Sequence, residues 1–259
     1  MQIVEKTEVT QEDLLGLFDG SVTAVRIPEY YSKEQAQAIT QVLLNSGLHG
    51  KYENAPNIGR VGQAFFESQA NEEAAGRYEK EAVKWMRELR KGLSPNLTPI
   101  DRFRLEIDEI WPHGANVAEM KGRKMFVGLA RTFGQDSYAE PHQDMFHWDA
   151  PESVEASFVS TQVAMNVYLQ LPDGGGELTL WPVSYDKKGY DDRRIPGSYG
   201  LKEEALPEPV ATLHPRLGEL ILFNATKVHS VGKIKSGVRV SWSCFVGYQK
   251  VDSPLVLWS

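Results

Sequence analysis

From Lys124 to Tyr248 the chain is a succession of short, apolar, β-prone runs, and no other feature limits its possible folds as strongly. The runs are Met125 to Phe133, Val159 to Leu171, Glu177 to Trp181, Val210 to Leu213, Glu219 to Phe223, Lys227 to Val231 and Val238 to Tyr248. Short strands at fairly regular spacing, separated by Gly, Pro and Asp, predict a sandwich or barrel rather than a parallel sheet. Gly174 to Gly176 and Lys235-Ser236-Gly237 read as hairpin turns within this series. The stretch Pro182 to Pro209 interrupts it. That stretch is polar, contains Gly and Tyr, and is about twice the length at which a connection inside a compact domain becomes unusual. It is either a floppy insertion or a lid, and its place relative to the metal motif below favours a lid.

The preceding residues, 1–123, read as a helical region that supports the β core. After the strand-like run Val22 to Ile27, Ser32 and Gln35 form a capping-box pattern, and Ala36, Ile39 and Leu43 then recur at helical spacing as far as Gly47. A second helix is expected from Asn71, with Glu72 and Glu73 at its positive end, through Trp85 and Leu89 to Gly92. A third begins at Thr98-Pro99, where Thr caps and Pro takes the first helical position, and carries Phe103, Ile107 and Ile110. The basic residues on these helices read as solvated faces. A length of 259 residues is enough for one sizeable core and forces no second one. The expected organisation is therefore a single domain, 1–259: the helical region 1–123, the β core 124–248 with its 182–209 insertion, and a C-terminal tail, 249–259.

The balance of charge limits the partners. With 35 acidic against 28 basic residues, a net charge of -7, and no long run of Lys or Arg, neither nucleic acid nor an anionic membrane is expected. The one cysteine, Cys244, lies in an apolar run, so no intrachain disulfide can form; core packing and a reducing compartment, the cytoplasm, are the natural reading. The first residues carry acidic side chains and no apolar h-region, so no secretory signal is read there.

The chemistry concentrates in two segments. In Glu140-Pro141-His142-Gln143-Asp144, an extended chain would direct residues two apart to one side, so His142 and Asp144 can present an imidazole and a carboxylate to a single point. Alone, a His-x-Asp pair is weak. The second segment, Gly218 to Val231, is a Gly-led apolar strand that turns and delivers His229, and ten residues later comes Arg239-Val240-Ser241. Two imidazoles and one carboxylate on one face of an octahedral Fe(II) leave three positions open, the arrangement expected of oxygen-activating non-haem sites. A 2-oxo acid can chelate two of them and dioxygen can take the third. The far carboxylate of the 2-oxo acid then needs a fixed partner; Arg239 offers a planar bidentate donor, and Ser241, on the same strand face, adds a hydroxyl.

These residues, in this order, resemble the 2-oxoglutarate/Fe(II)-dependent dioxygenase superfamily. The resemblance implies a double-stranded β-helix, a jelly-roll or cupin-like core within a mainly β protein with helical additions. It also implies His142, Asp144 and His229 as the catalytic iron ligands, with Arg239 and Ser241 as the clamp for 2-oxoglutarate. The helical first part, Phe18-Asp19-Gly20, Gly174 to Trp181 and Arg131, eleven residues before His142, are similar to a smaller group. That group holds free-standing hydroxylases of amino acids and N-acylated amino acids, together with carrier-independent aliphatic halogenases. By this resemblance Arg131 projects into the pocket near the co-substrate or the substrate carboxylate. Halogenases replace the metal carboxylate with Gly or Ala, whereas this chain keeps Asp144, so hydroxylation is favoured. The expected reaction is hydroxylation of an unactivated C–H bond in a small polar metabolite, an amino acid or its derivative, with release of succinate and carbon dioxide. The expected partners are that small molecule and dioxygen, and the expected assembly is a monomer or homodimer.

Other readings stay open at this level. His147 and Asp149 repeat the His-x-Asp spacing and could supply the ligands, but Phe146 and Trp148 look like pocket wall. Arg131 could instead pair with Asp136. Asn166, an amide in an apolar run, must find partners if buried and could bond either the co-substrate or neighbouring backbone. Two further classes compete: a metal-dependent hydrolase or isomerase on a cupin-like barrel, which would leave Arg239 and Ser241 without a purpose, and a non-catalytic β-sandwich binding protein.

Overall fold

The helices start where their side chains cap them. In the computed structural model, which describes residues 2–52 and 55–259, the Ser32 hydroxyl accepts from the Gln35 N–H and the Gln35 side chain accepts from the Ser32 N–H. The Asn71 side chain accepts from the Ala74 N–H, and Thr98 accepts from the Asp101 N–H ahead of Pro99. The first part of the chain runs β1 (Gln2–Glu5), α1 (Gln11–Asp19), β2 (Val22–Ile27), α2 (Lys33–Leu44), β3 (His49–Lys51), β4 (Ile58–Val61), α3 (Phe65–Ser68), α4 (Glu72–Leu93) and α5 (Pro99–Ile110). Helix α1 is an addition to the expected set. Its reciprocal Thr10–Asp13 cap uses an aspartate where the usual signature has Glu or Gln.

The region up to residue 123 is therefore not simply helical. Strands β1 to β4 all join the main sheet: Val22 to Ile27 pairs with the strand Leu220–Asn224 and carries β1 on its outer edge, while β4 pairs with the strand Leu129–Phe133 at the other end and carries β3. Short strands β5 (Ala115–Val117), β6 (Glu119–Met120) and β7 (Arg123–Lys124) lead into the second part of the chain. There follow β8 (Leu129–Phe133), β9 (Ala139–His142), α6 (Phe146–Asp149), α7 (Val154–Ser157), β10 (Thr161–Gln170), β11 (Leu178–Leu180) and α8 (Lys187–Asp191). The chain closes with β12 (Ala211–Leu213), β13 (Leu220–Asn224), β14 (His229–Val231), β15 (Arg239–Tyr248) and β16 (Leu255–Trp258).

Two sheets enclose the interior, as in a jelly roll. The large one has the order β1-β2-β13-β10-β15-β8-β4-β3, with β16 beside β15 and β5 beside β16; the small one is β12-β11-β14-β9. Strand alternation divides the large sheet into two faces. Val163, Met165 and Val167 of β10, with Val240, Trp242 and Val246 of β15, pack under α1, α2 and α5. Their neighbours Ala164, Asn166, Tyr168, Arg239, Ser241 and Ser243 face a cavity on the other side.

Two expected hairpins are absent. Strand β10 lies in the large sheet and β11 in the small one, so Gly174 to Gly176 is a crossing between sheets. The same holds for Lys235-Ser236-Gly237 between β14 and β15. Gly175, at φ 82°, is required there, since a Cβ would collide with the Lys233 carbonyl oxygen. Residues 249–259 are likewise no tail. They form β16, whose Trp258 is 1% exposed and stacks on Phe146 at 4.3 Å. Among the described residues no helix is long and apolar enough to cross a membrane. Trp258→Ala should lower the unfolding free energy by about 3–5 kcal/mol in urea titration; a residue in a tail would give no measurable change.

Candidate active site

His142 and His229 are direct cross-strand partners in the antiparallel pair β9–β14, which puts their rings side by side with centroids 4.3 Å apart. Each ring is fixed in the same way. His142 Nδ1 lies 2.7 Å from the Glu140 carbonyl oxygen and His229 Nδ1 lies 3.0 Å from that of Lys227. A carbonyl can only accept, so both Nδ1 atoms carry the proton and both Nε2 lone pairs are free. Asp144 stands just past the end of β9, held there by its N–H donating to the Ala225 carbonyl oxygen at 2.9 Å. The nitrogens and carboxylate oxygens converge: His229 Nε2 is 3.3 Å from Asp144 Oδ2, His142 Nε2 is 3.9 Å from Asp144 Oδ1, and one ligand atom from each residue falls within 4.8 Å of the others.

Electrostatics keep this set in the form a metal needs. Burial, aided by the neighbouring His229, lowers His142 to about 4. Burial alone would raise Asp144, but its close contact with His229 and the nearby His142 and Arg131 side chains hold it at about 2. Two imidazole nitrogens and a carboxylate are a donor set suited to a divalent first-row metal such as iron.

The triad opens onto a cavity of about 370 Å³ between the two sheets. Arg239 enters it from the start of β15, only 3% exposed, its guanidinium carbon 5.0 Å from the ring centres of both Phe133 and Tyr168. Its Nη2 donates to the Tyr168 hydroxyl at 3.4 Å, whereas Nε and Nη1 are buried without any hydrogen-bond partner. Burial also lowers its pKa. Unpaired donors of this kind are costly unless an anion meets them, so a carboxylate fits here. Ser241 and Asn166 line the same cavity. Phe133 and Tyr168, which wedge the arginine, were not singled out in the sequence; their β-strand alternation with Arg131 and Asn166 was the available signal.

Arg131 lines the cavity too and donates to the Ser243 hydroxyl at 2.5 Å. It does not pair with Asp136, which bonds Lys233 at 2.7 Å instead. The second His-x-Asp pair separates: His147 is exposed, and Asp149, at the end of α6, lines the cavity. Burial and repulsion from Asp144 push the Asp149 carboxyl up to about 8, partly offset by Lys187.

The insertion 182–209 is packed against this site. Gln143, between His142 and Asp144, bonds the Tyr185 backbone twice, its Nε2 donating at 2.8 Å and its Oε1 accepting at 2.9 Å. Leu201 N–H donates to the Pro141 carbonyl at 2.7 Å, and the Glu140 carboxylate accepts from Ser198 and from the Gly200 N–H. Tyr199 sets its ring edge-on to His142 at 5.5 Å. A small core of Trp181, Tyr190, Leu201 and Val228 supports the segment, which carries α8 and a single 3-10 turn, Glu203–Ala205.

A profile of the 2OG-Fe(II) oxygenase superfamily matches residues 127–247. An L-gamma-glutamyl-L-propargylglycine hydroxylase of Streptantibioticus cattleyicolor is 29% identical over 63% of this chain and 60% of its own length. An L-isoleucine 3(1)-dioxygenase of Pantoea ananatis is 26% identical over 46% of this chain and 41% of its own. The chain thus spans less than two thirds of the length of either relative. In fold it is similar to an N-substituted L-amino acid dioxygenase of Burkholderia ambifaria solved with alpha-KG, with a TM-score of 0.64 at 14% identity over 96% of this chain and 90% of that one. HygX of Streptomyces hygroscopicus, solved with nickel and 2-oxoglutarate, gives a TM-score of 0.52 at 14% identity over 92% and 87%.

The convergence of these three side chains predicts that Asp144→Ala weakens Co(II) binding, read by isothermal titration calorimetry, by more than about 100-fold, the upper end of what changes outside a ligand set cost. His147→Ala should leave the affinity unchanged.

Proposed function

We infer that the chain, whose residues 127–247 match the 2OG-Fe(II) oxygenase superfamily, is an oxygenase of that kind and hydroxylates an unactivated C–H bond of an amino acid or amino-acid derivative, using Fe(II) and 2-oxoglutarate. The observation that carries this reading is Arg239: a buried guanidinium with two unpartnered nitrogens, in the same cavity as a metal-binding triad. A hydrolase or isomerase that only activated water would have no use for it. Relatives that act on L-isoleucine and on L-gamma-glutamyl-L-propargylglycine support the amino-acid class.

The residues divide the work as follows. His142, Asp144 and His229 hold the iron, with Nε2 of each ring as donor because Nδ1 is committed to backbone. Arg239 receives the far carboxylate of 2-oxoglutarate, with Tyr168 keeping the guanidinium in place and Ser241 and Asn166 offering further polar contacts. Arg131, anchored by Ser243, turns its remaining donors to the substrate carboxylate. Iron with 2-oxoglutarate supplies the oxidising power, one oxygen atom of dioxygen going to the co-substrate, which leaves as succinate and carbon dioxide, and the other to the substrate. The insertion 182–209 acts as a lid wall: fastened through Gln143, Glu140 and Pro141, it shields the metal side of the cavity from bulk water.

Anaerobic addition of Fe(II) and then 2-oxoglutarate should develop the visible charge-transfer band of the chelate, and His229→Ala should lose it. Arg239→Leu should raise the 2-oxoglutarate concentration needed for half the band by about 10- to 100-fold, the loss of one charged hydrogen-bonded contact, with metal affinity unchanged. An equal effect on both ligands would remove Arg239 from the clamp.

A further inference from the structure

We propose that Asp149 is the receptor for a primary ammonium group of the substrate, so that this enzyme selects an amino acid or γ-glutamyl dipeptide with a free amine over its N-acylated form. This rests on the oxygenase reading above and deepens it. Asp149 ends α6, five residues after Asp144, and its side chain lines the cavity onto which the metal triad opens. Among the described residues it has no side-chain hydrogen bond and no ion pair, although its residue is only partly exposed. A half-buried carboxylate left without a donor is unusual, because desolvation without compensation is costly. A cation placed beside it favours its charged form.

The neighbouring cation does not supply the missing partner. Lys187 attracts Asp149, but its ammonium is bonded to Asp191 at 3.0 Å and stands over the Trp148 ring at 5.3 Å. Trp148 and Tyr190, whose rings meet at 5.3 Å, both line the cavity beside Asp149, and aromatic faces favour a cation. Arg131 has the complementary problem, since no carboxylate lies within ion-pair distance of it among the described residues. One cavity therefore holds an unpaired cation receptor and an unpaired anion receptor. A ligand carrying both an ammonium and a carboxylate satisfies the two at once, and an N-acylated one satisfies only Arg131.

The test uses the protein loaded anaerobically with Fe(II) and 2-oxoglutarate, whose charge-transfer band reports the cofactor site independently of substrate. The common L-amino acids and their γ-L-glutamyl dipeptides are titrated, each against its N-acetyl counterpart, and the dissociation constant is read from the perturbation of the band. At least one free amine should bind about 10- to 100-fold more tightly than its acetylated partner. Asp149→Asn should remove most of that preference by weakening the free amine alone, Asp149→Glu should restore part of it, and the chelate band should be unchanged in both. Tighter binding of N-acetyl forms, equal weakening of both forms in Asp149→Asn, or a formed band that no free amine perturbs would each overturn the proposal. Failure of the band in the unaltered protein would instead overturn the cofactor assignment on which it stands.

Discussion

The pairing of β9 with β14 is the constraint on which the rest of the site depends. These strands are distant in the chain, and only antiparallel register brings His142 and His229 side by side, their rings tilted by 48° to each other. A slip of one residue in either strand would turn that strand's histidine to the opposite face of the small sheet and part the pair. The register is fixed by β11 pairing on the other edge of β14 and by the Asp144 N–H bonded to Ala225, while a local Nδ1 contact to the carbonyl two residues back orients each ring. The three donor side chains are thus held in place by the fold itself, which would remove part of the ordering cost of binding a metal.

The large sheet contributes groups that are poor choices for stability. A guanidinium at 3% exposure with two idle nitrogens, an amide at Asn166 and a hydroxyl at Ser241 all face the cavity rather than a partner. Apolar side chains on the same strands would pack better, and the opposite face of β10 and β15 shows what that looks like in Val163, Met165, Val240 and Trp242. The interior is therefore divided by strand alternation alone: one face is filled for stability and the other is held open for ligands. Helices α1, α2 and α5 cover the filled face and none of their residues lines the cavity, so their contribution to the site is to keep the sheet in shape.

Gln143 links the metal motif to its cover. Its side-chain amide mimics a strand partner for the Tyr185 backbone, and it sits between His142 and Asp144, so the wall of the cavity and the ligand pair are fastened at one point. Glu140 repeats this on the other side through Ser198 and Gly200. A long polar insertion becomes ordered here by hydrogen bonds to the segment it covers, together with the small core around Trp181 and Leu201.

Much of this was legible in the sequence, and for local reasons. Caps at Ser32, Asn71 and Thr98 fix helix starts because they satisfy free N–H groups within one turn, and the β-prone runs from Val159 to Tyr248 mark strands because alternation needs no distant partner. The order His142-x-Asp144, His229 and Arg239-x-Ser241 named the residues that meet in the cavity, since their chemistry has few other uses together. Which strand pairs with which was not legible. Glycine-rich turns at Gly174 to Gly176 and Lys235 to Gly237 look local, yet both carry the chain from one sheet to the other, and β1 to β4 and β16 take their places only because open sheet edges were there to receive them. The sequence by itself determined the elements and the donor set; the tertiary structure alone decided the two-sheet closure, the position of Asp149 as an unpaired cavity carboxylate and the order of the insertion, because each depends on backbone partners and desolvation that exist only once the sheets have met.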